Sequence, residues 1–326
     1  MTASPQSPSP ETPRSGYSYV LQATHTSTQK QGSGLVHDLL GRCEFPPPGA
    51  AVTCAVSGGA DSLALLLLAV AAGLDVTAVH VDHGLRTGSD GEADVVRAAA
   101  EQFGATFRAE RVVVEQGPNL EARARAARYG VLPADVCTGH TADDQAETVL
   151  LNLLRGAGAT GLAGMRSGPN RPLLGLRRTE TVALCAALGL DPVVDPSNAD
   201  PRFRRNRVRH ELRPLLDDIA GRDVVPVLCR QADLLRDEAD LLAALAAKID
   251  PTDARALREA PVALGRLAIR AWLRAGPATS HPPDAATVER VLAVARLDAT
   301  AADVGGRWRV TRSGGVLHLL GPDGDG

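Results

Sequence analysis

The sequence has no excess of one charge, no paired cysteines, no long apolar run and no internal repeat, and each absence removes a class of protein. Formal net charge over 326 residues is −3, so no global positive field announces a nucleic-acid partner, and any such contact has to come from a local patch. The five cysteines, Cys43, Cys54, Cys137, Cys185 and Cys229, are widely separated and form neither a metal knuckle nor a disulfide framework. Reduced cytosolic thiols are therefore expected. The longest apolar run, Leu63 to Ala72, is too short to span a bilayer, and the Ser-, Pro-, Thr- and Gln-rich start contains no signal-peptide core. A cytoplasmic protein with no membrane partner follows. No repeat of solenoid or propeller length occurs.

What is present suffices for a substantial core and a smaller companion, with 44% of residues hydrophobic. Residues 1–33 are polar and proline-rich and are expected to be a disordered tail, because they bury too little apolar surface to offset ordering entropy. Residues 34–218 alternate short apolar runs with amphipathic stretches, the pattern of an α/β domain with a mostly parallel sheet. Strands are expected over 51–56, 76–81, 106–114 and 135–139. Helices are expected over 63–72, from a Ser89/Glu92 capping box to about 104, and over 120–129, 141–155 and 179–188. Residues 219–326 lose the alternation. They are expected to form a smaller, mainly helical domain, with helices over 224–249, 255–274 and 284–296 and a terminal hairpin of 306–311 with 316–320.

The first strand runs into Ser57-Gly58-Gly59-Ala60-Asp61-Ser62 and then into a helix. That order sets backbone N–H groups and the positive end of a helix dipole where a phosphate would sit. The glycines let the main chain approach, the two hydroxyls add donors, and Asp61 is placed to hold a magnesium ion against a pyrophosphate. The loop is not a Walker sequence, having no lysine after its last glycine, and its glycine spacing is not the dinucleotide fingerprint. A tight turn capping a helix would use the same residues, but the strand-loop-helix setting favours ATP.

Three further segments carry chemistry. Val79 to Arg86 ends the second strand, where open parallel sheets bind ligands, and adds His83 and Arg86 to the nucleotide site. Gly139 to Thr148 puts Asp143, Asp144 and Glu147 on one face at the start of a helix. These acids are either an ordinary charged first turn or a site that attracts an amine or magnesium and helps to remove a proton. After Asp195-Pro196-Ser197-Asn198 comes an arginine run, with Arg204, Arg205, Asn206, Arg207 and Arg209 as contacts to RNA or nucleotide phosphate; a solvated helix face is the alternative. Arg155 joins that set from the glycine-rich segment Leu154 to Gly164, which is expected to close over a substrate.

The loop Ser57 to Ser62 resembles that of the PP-loop ATP pyrophosphatases. With Val79–Arg86, Gly139–Thr148, Leu151–Gly164, Arg171-Pro172-Leu173-Leu174 and Asp195–Arg209, in that order, the chain from about 50 to 215 is similar to the bacterial tRNA(Ile)-lysidine synthase family. The resemblance implies a carbon–nitrogen ligase that uses ATP and Mg2+. It would adenylate C2 of the wobble cytidine of a CAU-anticodon isoleucine tRNA, release pyrophosphate, and let free L-lysine displace AMP. It further implies Asp61, Asp143, Asp144 and Glu147 as catalytic residues, Ser57 to Ser62 as the ATP loop, and a codon and amino-acid identity changed from Met to Ile. A homodimer is compatible with it. Family members with a further C-terminal domain differ from this chain, which ends soon after the expected hairpin. A tRNA-thiolating enzyme would need paired cysteines, an ammonia-dependent synthetase leaves the arginine run unexplained, and an idle RNA-binding module leaves the four carboxylates unexplained.

Overall fold

A computed structural model describes residues 28–82, 90–113, 120–277 and 283–321. Helix α1 (Thr28–Leu40) precedes β1 (Ala51–Ala55), α2 (Ala60–Ala71), β2 (Asp75–Asp82), α3 (Asp90–Phe103), β3 (Thr106–Arg111), α4 (Leu120–Val131), β4 (Cys137–Thr138) and α5 (Ala142–Leu154). The four strands form one parallel sheet in the order β3-β2-β1-β4. This is the expected α/β sheet, with β1 and its phosphate-loop candidate at an interior position. Helix α1 opens at Thr28, so residues 28–33 are helical where the sequence reading put the end of a tail.

Helix α2 explains why the loop before it is fixed. Ten of its twelve residues, from Ser62 to Ala71, are buried, because it is packed by β1, by α3 and by α7 (Arg178–Ala187). Its leucines share a core with Val36 and Leu39 of α1, Val96 and Phe103 of α3, and Leu184 of α7. A helix that is apolar all round has no face free to rock. Gly73, at φ +79°, ends it and turns the chain into β2.

Parallel register places Cys54 of β1 directly beside Cys137 of β4. Both thiols are buried, so two cysteines that look isolated in sequence are neighbours in space. The hydrogen bond with the facing Cys137 thiol, and burial after it, push the Cys54 thiol well above its ordinary range.

Between α5 and α7 lies the short α6 (Ala159–Leu162). Downstream come a 3-10 turn (Pro196–Ala199), α8 (Arg204–Arg207), a π turn (Val208–Leu212) and α9 (Arg213–Ala220), then α10 (Val225–Ala246). The chain divides into two compact units, with Ala232 the last residue of one and Asp233 the first of the other. The second unit contains α11 (Ala254–Glu259), α12 (Val262–Ala275), α13 (Ala285–Arg296) and an antiparallel sheet β5-β6-β7 (Ala301–Gly305, Trp308–Ser313, Val316–Leu320). The single helix expected over 255–274 is two, because Pro261 has no N–H to donate and stands as the N-cap of α12. The expected hairpin is a three-stranded meander. Gly306 and Arg307, both at positive φ, make the turn into β6, which starts at Trp308 rather than Gly306.

Candidate functional site

The loop after β1 is stapled by one serine. Ser62 Oγ accepts from the Ser57 backbone N–H at 3.1 Å, donates to the Gly59 carbonyl at 2.8 Å, and lies 3.3 Å from Ser57 Oγ. Gly58 sits at φ +87°, and a Cβ there would meet Val193 at 3.1 Å; the Val193 N–H donates to the Gly58 carbonyl at 3.0 Å. The segment leading to Asp195 therefore crosses directly over the loop. Gly139 is equally constrained, since a Cβ on it would lie 2.6 Å from the Asp61 carbonyl oxygen. Glycine there lets the end of β4 pass the first turn of α2, which brings Asp61 and the start of α5 into one site.

Helix α5 buries its first two turns, three acids included. Asp144 caps the helix, accepting from the Thr141 backbone N–H and hydroxyl, each at 3.0 Å. The rest of the acids' bonding capacity goes to arginines. Arg178 reaches Asp61 at 2.9 Å, Asp144 at 2.9 Å and Glu147 at 3.4 Å, while its own backbone N–H donates to Asp143 at 2.9 Å. Arg177 and Arg213 donate to Asp143 at 3.0 and 2.8 Å. Arg205 and Arg209 both grip Glu147, at 2.9 Å and at 2.6 and 3.1 Å. Thr181 donates its hydroxyl to Asp61. Four carboxylates and five guanidiniums thus interlock, with Glu147, its side chain 0% exposed, at the bottom.

The carboxyls do not respond alike. Burial pushes Asp61 above its ordinary range despite the charge of Arg178. Burial also pushes Asp143 and Asp144 up. For Asp143 the bonds from Arg177 and the Arg178 N–H outweigh that effect, and for Asp144 the charges of Arg178 and Arg205 do, so both lie below the usual range. A depressed carboxyl stabilises the fold above its unfolded pKa of about 3.9, and that contribution is lost as pH falls through the folded value; Asp61, raised, works in the opposite sense. The melting temperature is therefore expected to fall steeply below about pH 4, and Asp143→Asn is expected to flatten that acid limb. Parallel acid limbs for the variant and the parent would refute the assignment.

The arginine run, a single feature in sequence, is sorted onto different faces. Arg205 and Arg209 turn inward to Glu147. Asn206 is a correction: proposed from sequence as an RNA or phosphate contact, it is buried, and its amide donates to the carbonyls of Ser197 at 2.7 Å and Asp200 at 2.9 Å. Both amide hydrogens are used in holding the Asp195 turn against α8. Arg207 pairs with Glu211 at 2.8 Å on the surface, and Arg204 and Arg155 are exposed. The glycine-rich segment is tied to α5: Asn152 donates to the Gly161 carbonyl at 2.8 Å, and Gln145 donates to the Met165 carbonyl and accepts from its N–H, at 3.0 and 2.8 Å.

His83 and Arg86 lie outside the described residues. The sequence reading did not single out Arg177, Arg178 or Thr181 for the site. A signal for the arginines was present, since two cations at the start of a helix oppose its dipole unless carboxylates meet them. Among the described residues no cluster of three or more His, Cys, Asp or Glu side chains offers a metal cage. Magnesium needs only one or two carboxylates when substrate phosphates supply the remaining oxygens, and Asp61, in the first turn after the loop, fits that smaller demand.

Comparison with known proteins finds a matching family model and similar enzymes. The PP-loop domain family model matches residues 31–216. The tRNA(Ile)-lysidine synthase of Nocardia farcinica is 48% identical over 244 residues, covering 69% of this chain and 77% of that protein. The enzymes of that name from Rhodococcus erythropolis and Mycobacterium leprae are each 46% identical, over 71% and 69% of this chain and 76% and 75% of theirs.

Proposed function

Because the chain belongs to the tRNA(Ile)-lysidine synthase family of PP-loop proteins, we propose that it joins free L-lysine to C2 of the wobble cytidine in a CAU-anticodon isoleucine tRNA, at the expense of ATP. The C2 oxygen attacks the α-phosphorus of ATP and pyrophosphate leaves. The lysine side-chain amine then attacks C2, AMP departs with the oxygen, and the ammonium proton passes to a base. Codon reading and amino-acid identity change from Met to Ile. The work belongs to the cytoplasm, where tRNA, ATP and lysine meet, and no helix among the described residues is long and apolar enough to cross a membrane.

One observation supports the division of labour: five guanidiniums face four carboxylates around the entrance to α2. That balance favours an anionic ligand over a bare amine. The loop N–H groups and the hydroxyls of Ser57 and Ser62 hold the polyphosphate, and Arg178, on the rim, takes part of its charge. Asp61 would hold magnesium, which when bound neutralises charge on the departing pyrophosphate. Glu147 keeps Arg205 and Arg209 in place. Asp143 and Asp144, below their ordinary range, suit attraction of the lysine ammonium better than removal of its proton. Phosphate oxygens that draw Arg178 away would leave Asp61 and Asp144 open to cations, so lysine is expected to bind after ATP.

The test is nucleoside analysis of the unmodified isoleucine tRNA after incubation with the protein, ATP, Mg2+ and lysine. Lysidine is expected only with all components present, with one pyrophosphate and one AMP per nucleoside changed. Pyrophosphate release that does not depend on lysine or on this tRNA would point to another member of the superfamily.

A further inference from the structure

One pocket in the first unit is not used by the chemistry above. It encloses about 510 Å³ and is lined by Leu151, Leu154 and Arg155 of α5 and by Arg204, Arg207, Val208, Glu211, Leu212 and Leu215 of the segment from α8 to α9. The two walls follow from helical spacing. Leu151 and Leu154 stand four and seven residues beyond Glu147, so the α5 wall begins one turn, about 6 Å, past the acid at the bottom of the site. On the other wall, Arg204, Arg207, Val208, Glu211, Leu212 and Leu215 recur at helical intervals, while Arg205 and Arg209 between them turn to Glu147.

The lining combines four leucines and a valine with three arginines and one glutamate. Leu154 is 68% exposed and Leu215 53%, so both present apolar surface that a ligand in the pocket can cover. Arg155 and Arg204 form no ion pair among the described residues, and Glu211 is answered by Arg207. A protein partner with a plain apolar surface would leave two exposed cations unmatched. A nucleotide matches both parts, because its base is an apolar plane with polar edges and its phosphate is an anion. The volume lies within the range of small-ligand pockets.

We propose that this pocket receives one unstacked nucleotide of the RNA substrate, a neighbour of the reacting base, with its base on Leu151, Leu154, Leu212 and Leu215 and its phosphate on Arg155 and Arg204. The inference rests on the RNA substrate proposed above and adds a seat for it one helical turn from the arginine–carboxylate network. The seat fixes the register of the loop, so that the base to be adenylated lies over the ATP site.

Apolar and ionic contacts leave different marks on salt dependence. The double variant Leu154→Ala/Leu215→Ala is expected to bind the unmodified tRNA about ten-fold more weakly, with the slope of log affinity against log salt unchanged. Arg204→Ala is expected to weaken binding with a slope shallower by about one. With 2-aminopurine placed on either side of the wobble position, one of the two sites is expected to change fluorescence on binding the parent protein and not on binding the double variant. Both leucines are exposed, so unchanged melting curves will show that the variants fold. If the leucine variant binds like the parent, or changes only self-association, while the parent still makes lysidine, the pocket assignment is wrong and the functional reading stands. If the parent neither binds nor modifies the tRNA, the functional reading falls and the pocket proposal with it.

Discussion

Asp61→Asn is expected to lower lysidine formation at least 10³-fold, a loss of about 4 kcal/mol in transition-state stabilisation, while tRNA affinity stays within about two-fold of the parent and the fold is not weakened. The last part follows from the sign of its pKa shift. Burial raises the Asp61 carboxyl, so its charge opposes folding at neutral pH, and an uncharged isostere removes that opposition. The amide oxygen still accepts from the Thr181 hydroxyl. Arg178 loses its 2.9 Å bond to the second Asp61 oxygen, but its side chain is 25% exposed, so water can take that N–H, and it keeps Asp144 at 2.9 Å and Glu147 at 3.4 Å. Activity is lost because an amide is a far poorer magnesium ligand than a carboxylate beside the phosphates. Thermal melting, filter binding of the tRNA and nucleoside analysis, run on one preparation, measure the three parts. A variant with parental turnover would remove Asp61 from the chemistry. One that loses turnover and stability together would make its role structural.

How much of this the sequence revealed depends on how local each feature is. The loop Ser57 to Ser62, the strand before it and the helix after it are contiguous, and glycine spacing with apolar periodicity was enough to find them. The start of α5 was also legible, because Thr141 and Asp144 form their capping bonds within one turn. Strand β5 was not: Ala301-Ala302-Asp303-Val304-Gly305 has one β-branched residue, and it is a strand because Ala302 and Val304 reach the second unit's core. Long-range pairs left no trace in composition. Asp143 meets Arg213 across 70 positions, and Cys54 meets Cys137 only through parallel register. The arginine run showed its charge but not its sorting, because which helix face turns inward is set by Glu147, a partner 58 positions from Arg205 and 62 from Arg209.

That sorting leads to a second large effect, opposite in kind to the first. Glu147→Gln keeps the shape of the side chain and removes its charge at a position with no solvent exposure, leaving Arg205, Arg209 and Arg178 turned toward an amide that presents two hydrogens to them. Breaking a buried ion pair on one side costs about 3 to 5 kcal/mol. At about 2 to 4 °C per kcal/mol for a unit of this size, the melting temperature is expected to drop on the order of 10 °C. Activity is expected to fall mainly through a raised KM for tRNA, because loosened arginines no longer present a fixed cationic surface, and the pH dependence of kcat is expected to keep its shape. A general base would behave differently: its removal would leave stability nearly intact, lower kcat and abolish the acid limb of the profile. Arg209→Lys offers an independent check, since a point charge cannot reproduce the paired bonds at 2.6 and 3.1 Å. It is expected to shift stability and KM in the same direction as Glu147→Gln, by less, and to combine with it less than additively, because both changes break one contact.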